Sequence, residues 1–185
     1  PPFGSDIPVT DRYILEQYEL ARRWESTGDG KNFRATEAYQ AKVAPEVLFI
    51  ERCVQWLKPG GRMGIVLPNG ILGNPAQEYV RWWILQNTWV LASIELPVEV
   101  FIVDANVNIL TSLLFLKKKH PSEILRSGLQ EDAPYPIFMA VAENVGFDRR
   151  GNPRYKRNPD GTDIIKREPE TETMRIRGRL VERTI

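Results

Sequence analysis

The chain of 185 residues is long enough to bury one proper core, and with 42% hydrophobic and 26% charged residues it has the composition of an ordinary globular protein. The formal charge is +1, with 14 basic and 17 acidic residues up to Phe147 and 11 and 7 from Asp148 onward, so a weakly basic tail supports contact with phosphate without establishing it. The single cysteine, Cys53, excludes a disulfide framework or a Cys-based metal site and makes a reducing cytoplasm the expected location; no apolar run approaches the ~20 residues needed to span a bilayer.

The chain opens on Pro1-Pro2-Phe3-Gly4-Ser5-Asp6, which reads as a rigid loop just past the end of a strand and as the start of a cut piece. Ile14, Tyr18 and Ala21 recur at helical spacing and predict a helix over about 11–24, followed by a mobile surface loop over 25–32. Pro45 suits a first helical turn and Val47, Ile50, Val54 and Leu57 form one apolar stripe, predicting a helix over 45–57 that packs on a sheet. The turn Lys58-Pro59-Gly60-Gly61 then delivers a short apolar run, 62–68, bounded by breakers at both ends, the pattern of a buried strand. In an open α/β sheet ligands bind at the carboxyl ends of strands, so the loop expected over 68–74 is the first place to look for function. Asn74 as a cap and Pro75 as a first residue predict a helix through Asn87, whose stripe of Ala76, Tyr79, Val80, Trp83 and Ile84 would cover the sheet; at least one of Trp82 and Trp83 should be core.

Residues 90–97 and 109–116 read as two further strands joined by a loop from about Phe101 to Asn108, too short a link for a parallel crossover, so they should be antiparallel neighbours. Lone His120, after three lysines, is expected to be solvated. A polar connector over 121–136, a strand over 137–142, and an extended or marginally ordered tail carrying turns at 148–153 and 158–161 complete the chain. The fold class is therefore α/β, a partial Rossmann-like sheet ending in an antiparallel strand and flanked by helices, over residues 1–118; residues 119–185 would be connector, possible extra strand and irregular tail.

Pro1-Pro2-Phe3-Gly4 resembles the end of the Asn-Pro-Pro-Phe/Tyr motif of amino-methylating DNA methyltransferases. Together with the run PEVLFIERCVQWLKPGGRMGIVLPNGILGN at 45–74, the stretch from Phe101 through TSLLFLKK, and PIFMAVAENVGFDRRGN, the chain resembles the modification (M) subunit of type I restriction-modification systems over most of its length up to about Asn158. The resemblance implies the C-terminal half of a class I, S-adenosylmethionine-dependent, adenine-specific DNA methyltransferase. In that family an asparagine side chain and the next backbone carbonyl, here that of Pro1, accept hydrogen bonds from the exocyclic amine of a flipped adenine, while Phe3 stacks on the base. Pro1, Pro2 and Phe3 are thus the catalytic candidates, and Pro68, Asn69, Gly70, Phe101 and Thr111 are candidates for the target-base or DNA cleft. The implied partners are DNA and the specificity and restriction subunits, with no membrane and no metal.

Two departures temper the expected activity. The catalytic asparagine and the Gly-rich cofactor turn are absent from the sequence, and Gly60-Gly61 precedes a strand where that turn follows one, so the chain by itself is expected to be inactive and to hold S-adenosylmethionine weakly at best. Loss of the strand before Pro1 would expose a sheet edge and face and favour self-association. The competing reading is a non-catalytic, methyltransferase-like scaffold that binds DNA or partner subunits.

Overall fold

The computed structural model describes residues 7–28, 32–127, 134–162, 164, 171–176 and 179–184; the candidates Pro1, Pro2 and Phe3 lie outside them. Asp11 caps α1 (Arg12–Leu15), its Oδ1 accepting from the N–H groups of Tyr13 at 2.8 Å and Ile14 at 3.2 Å. The helix expected to reach residue 24 stops here. Leu20 and Ala21 are fully buried, and the Glu51 carboxylate captures the N–H groups of Glu19 and Leu20, which takes that backbone out of any helical ladder. The chain instead enters β1 (Arg22–Ser26), antiparallel to β2 (Phe33–Tyr39), a hairpin absent from the sequence reading.

Helix α2 (Pro45–Trp56) begins with proline and carries Glu46 in its first turn, where the helix dipole favours an acid. Val47, Ile50 and Val54 are buried and Trp56 faces outward, so the expected stripe is the packed face. Gly60, at φ +76°, makes the following turn possible and donates its N–H to the Lys118 carbonyl at 2.9 Å. The strand β3 (Arg62–Pro68) follows as expected. Residues 69–73, expected as loop, form the short helix α3 (Asn69–Gly73), because the Asn74 N–H returns to the Gly70 carbonyl at 2.9 Å. Asn74 then caps a single 3-10 turn, Pro75–Gln77, through its side chain to the Ala76 N–H, and α4 (Glu78–Asn87) runs on with Val80, Trp83 and Ile84 buried.

β4 (Thr88–Leu96) leads into α5 (Glu99–Ala105), which replaces the expected loop and ends at Asn106 in the left-handed region. β5 (Thr111–Lys118) is followed by α6 (Pro121–Ser127), a helix inside the expected polar connector, and by β6 (Phe138–Val141). The sheet order is β3-β5-β4-β6, with β5 antiparallel to both β3 and β4, as expected for that pair, and β6 parallel to β4. This is a mixed α/β sheet flanked by helices.

Strand alternation gives the sheet two unlike faces. Ile65, Leu67, Leu114 and Leu116 are buried on one. Gly64, Val66, Leu113, Phe115, Ala92, Ile94 and Phe138 share the other, where Phe115 is 36% and Phe138 61% exposed. Among the described residues, β3 has a strand on one side only. No described helix is long and apolar enough to cross a membrane.

Residues 1–145 and 146–185 form two compact units. In the second, both expected turns form: Asp148 Oδ1 accepts from the N–H groups of Arg150 and Asn152, with Gly151 and Gly161 at φ +82° and +85°. Where an extended tail was expected, β7 (Thr171–Ile176) pairs antiparallel with β8 (Arg179–Thr184).

Candidate functional site

Because β3 and β4 point the same way on either side of β5, their carboxyl ends lie together beside the amino end of β5. A cleft of about 570 Å³ opens there, lined by Asn69, Leu72 and Gly73 of α3, Ser93 and Glu95 of β4, Ser112 of β5, and Met139 to Val141 of β6. Asn69 is its organising side chain. Its Nδ2 donates to Glu95 Oε2 at 2.9 Å, its Oδ1 accepts from the Ser112 hydroxyl at 2.7 Å, and its backbone N–H donates to the Leu110 carbonyl at 3.0 Å. The two side-chain bonds, one to β4 and one to β5, thus fix its rotamer. Glu95 keeps its second oxygen without a protein partner among the described residues, so the cleft offers one carboxylate acceptor and one spare amide hydrogen between apolar walls. That combination orients a hydrogen-bonding ligand by position.

The other candidates take different places. Pro68 is buried at the end of β3, directly opposite Thr111 in the ladder. Thr111 is fully buried and its Oγ1 has no hydrogen-bond partner among the described residues, an orphan hydroxyl at the base of the strand ends. Gly70 sits in α3 with nothing within 4 Å of where a Cβ would stand. Replacing it with alanine is therefore expected to leave the cleft open and to stabilise the chain by about 0.5–1 kcal/mol, measured as a rise in the urea midpoint. Phe101 lies half-buried in α5, its carbonyl accepting from the Val107 N–H at 3.3 Å, and does not line the cleft. Sequence reasoning missed Ser93, Glu95 and Ser112. The available signal was an acid and a serine two apart in an otherwise apolar strand, which places both on one face.

A cofactor of the S-adenosylmethionine type needs a glycine-rich turn leaving a strand and opening a helix. The turn after β3 is Pro68-Asn69, that after β4 is Pro97-Val98, and Gly60-Gly61 lies before β3 with its N–H groups spent on Lys118 and Lys58. The residues present do not fit that group.

The late strand β5 inserts antiparallel between two earlier strands that run alike, in a mixed α/β sheet flanked by helices. The chain belongs to the N-6 DNA methylase family, whose model matches residues 13–135. Among solved structures it is similar to a putative class I S-adenosylmethionine-dependent methyltransferase from Listeria monocytogenes, at 19% identity over 74% of this chain and 34% of that one, TM-score 0.49. It is also similar to a chain from a type I restriction-modification system described in terms of its assembly and conformational transition, at 27% identity over 46% and 18%, TM-score 0.39. A third is the M protein of the type I restriction enzyme EcoKI, at 19% identity over 51% and 20%, TM-score 0.39. The chain spans at most about a third of the length of these structures. No curated protein matches it.

Proposed function

We propose that the chain is the C-terminal half of the catalytic domain of an adenine-specific DNA methyltransferase, the modification subunit of a type I restriction-modification system. The observation that carries this reading is the Asn69–Glu95–Ser112 cleft at the carboxyl ends of the strands, in a chain whose residues 13–135 belong to the N-6 DNA methylase family. In the parent protein, the Pro1 carbonyl accepts from the exocyclic amine of an extruded adenine and Phe3 stacks on its ring. Amine lone pairs on aromatic rings are delocalised, so acceptors that localise the pair promote attack on a methyl donor held by another part of the parent. Pro68, Asn69, Gly70 and Thr111 build the wall behind that base, and Phe101 on α5 supports the neighbouring strand end. The chain alone neither binds S-adenosylmethionine tightly nor methylates DNA. DNA, a specificity subunit and a restriction subunit are the parent's partners, and the half-bare sheet face with the open β3 edge gives the isolated chain a route to self-association.

The test uses the parent protein. Phe3→Ala is expected to lower kcat/KM for adenine methylation of duplex DNA by about 5- to 150-fold, the worth of one base–aromatic stack, while Phe3→Tyr retains most activity. A parent in which Phe3→Ala methylates normally, or calorimetry showing tight cofactor binding by this chain alone, overturns the reading.

A further inference from the structure

The β1–β2 hairpin takes no part in the cleft, yet it carries a concentrated set of hydrogen-bond donors. Trp24 of β1 stacks on Tyr79 of α4 with centroids 5.9 Å apart and planes at 25°, and packs against Trp82 at 5.7 Å, so the hairpin is anchored to the start of α4. Between them lies a groove of about 480 Å³ whose lining includes Arg23, Trp24, Gln40, Lys42 and Tyr79, and no acidic side chain.

The two cations are exposed and have no acidic partner among the described residues, unlike their neighbours Arg22, paired with Glu37 at 3.3 Å, and Arg34, paired with Glu25 at 3.7 Å. The Tyr79 hydroxyl is a donor too. The two hydrogens of Gln40 Nε2 are shared among three acceptors, the carbonyls of Leu20 at 3.3 Å and Arg22 at 3.0 Å and the Tyr79 oxygen at 3.2 Å, so Tyr79 accepts there and keeps its own O–H to donate. Burial pushes the Tyr79 hydroxyl up from its ordinary value, so it keeps that proton. The Trp24 indole N–H is buried without an acceptor.

We propose that this groove seats the phosphodiester backbone of duplex DNA, with Arg23 and Lys42 as the two phosphate contacts. Two exposed cations beside a hydroxyl donor, in a lining without a carboxylate, favour an anion, and the anion that a duplex presents is its phosphodiester backbone. The segment from α3 to α4 has Leu72 and Gly73 in the cleft and Ala76 and Tyr79 in the groove, so a few residues of chain separate the two sites. The proposal rests on the DNA reading above and assigns it a second point of contact.

The experiment is fluorescence anisotropy of a labelled duplex against the chain between 50 and 200 mM salt. Arg23→Ala with Lys42→Ala is expected to lower the steepness of log K against log salt by about two, so that the affinity ratio of wild type to variant is roughly tenfold larger at 50 mM than at 200 mM. Arg12→Ala, which removes a cation already bonded to Glu16 at 2.7 Å, is expected to leave the slope unchanged. Circular dichroism of the double variant, which alters only exposed side chains, checks that the fold is intact. An unchanged slope in the double variant overturns the groove alone; absence of any salt-dependent DNA binding by wild type overturns both this proposal and the DNA reading. Preference for duplex RNA over duplex DNA overturns the assignment of the ligand.

Discussion

Asn69→Asp is expected to destabilise the chain by about 1–3 kcal/mol, and Glu95→Gln in the same molecule to restore most of the loss. The Asn69 amide is the donor in a bond of 2.9 Å to Glu95 and the acceptor in one of 2.7 Å from Ser112. Exchanging the amide for a carboxylate keeps the second bond, turns the first into a contact between like charges, and leaves a half-buried acceptor facing another acceptor. The second substitution returns a donor to the pair with its direction reversed. Urea midpoints of the wild type, the two single variants and the double variant, taken at neutral pH, measure the cycle. Additive losses in the double variant would show that the two side chains do not share a proton donor.

The second large effect falls on Glu51, which is 3% exposed and receives the N–H groups of Glu19 at 2.9 Å and Leu20 at 2.8 Å, with Gln55 as a third donor at 2.9 Å. This one carboxylate holds the segment that feeds β1 against α2. Glu51→Leu orphans two backbone donors and is expected to cost about 2–6 kcal/mol, with faster hydrogen exchange at Glu19 and Leu20 as the local sign. Glu51→Gln keeps one acceptor and costs less. Burial raises the Glu51 carboxyl above its ordinary 4.5, against the lowering effect of the Leu20 and Glu19 N–H groups, and the charge of Glu19 adds to the rise. The folded chain therefore binds this proton more tightly than the unfolded chain does. Its contribution is fully present below 4.5 and is lost as pH rises through the raised value, so the stability gap between wild type and Glu51→Gln should be widest in acid and narrow towards neutrality. A gap that widens with pH contradicts this assignment.

The parts of the fold legible in sequence were those where one periodic signal ran unopposed between breakers. Pro45 with its stripe gave α2, Gly60-Gly61 and Pro68 bracketed β3, and Asn74-Pro75 opened the turn before α4. Misreadings occurred where a distant partner decided the local structure. Ile14, Tyr18 and Ala21 have helical spacing, but the carboxylate that breaks the helix lies on α2, more than thirty residues away. The short helices α3 and α6 fill stretches rich in turn-forming residues that propensity alone assigns to loop, and α5, EVFIVDA, is too short and too rich in β-branched residues to announce itself as a helix. At the cleft, Asn69 was legible because strand ends collect ligands, whereas Glu95 and Ser112 become its partners only once β5 inserts beside both β3 and β4.

That insertion has a consequence for biosynthesis. The register joins Arg62 to Lys117 and Pro68 to Thr111, so β3 leaves the ribosome 43 to 55 residues ahead of its neighbour, about 2 to 11 seconds at ordinary elongation rates. During that interval the edge of β3 that β5 will occupy is unpaired, and an unpaired apolar strand edge is open to pairing with another nascent copy. Slower translation between residues 69 and 110 is therefore expected to lengthen the interval in which β3 waits for β5.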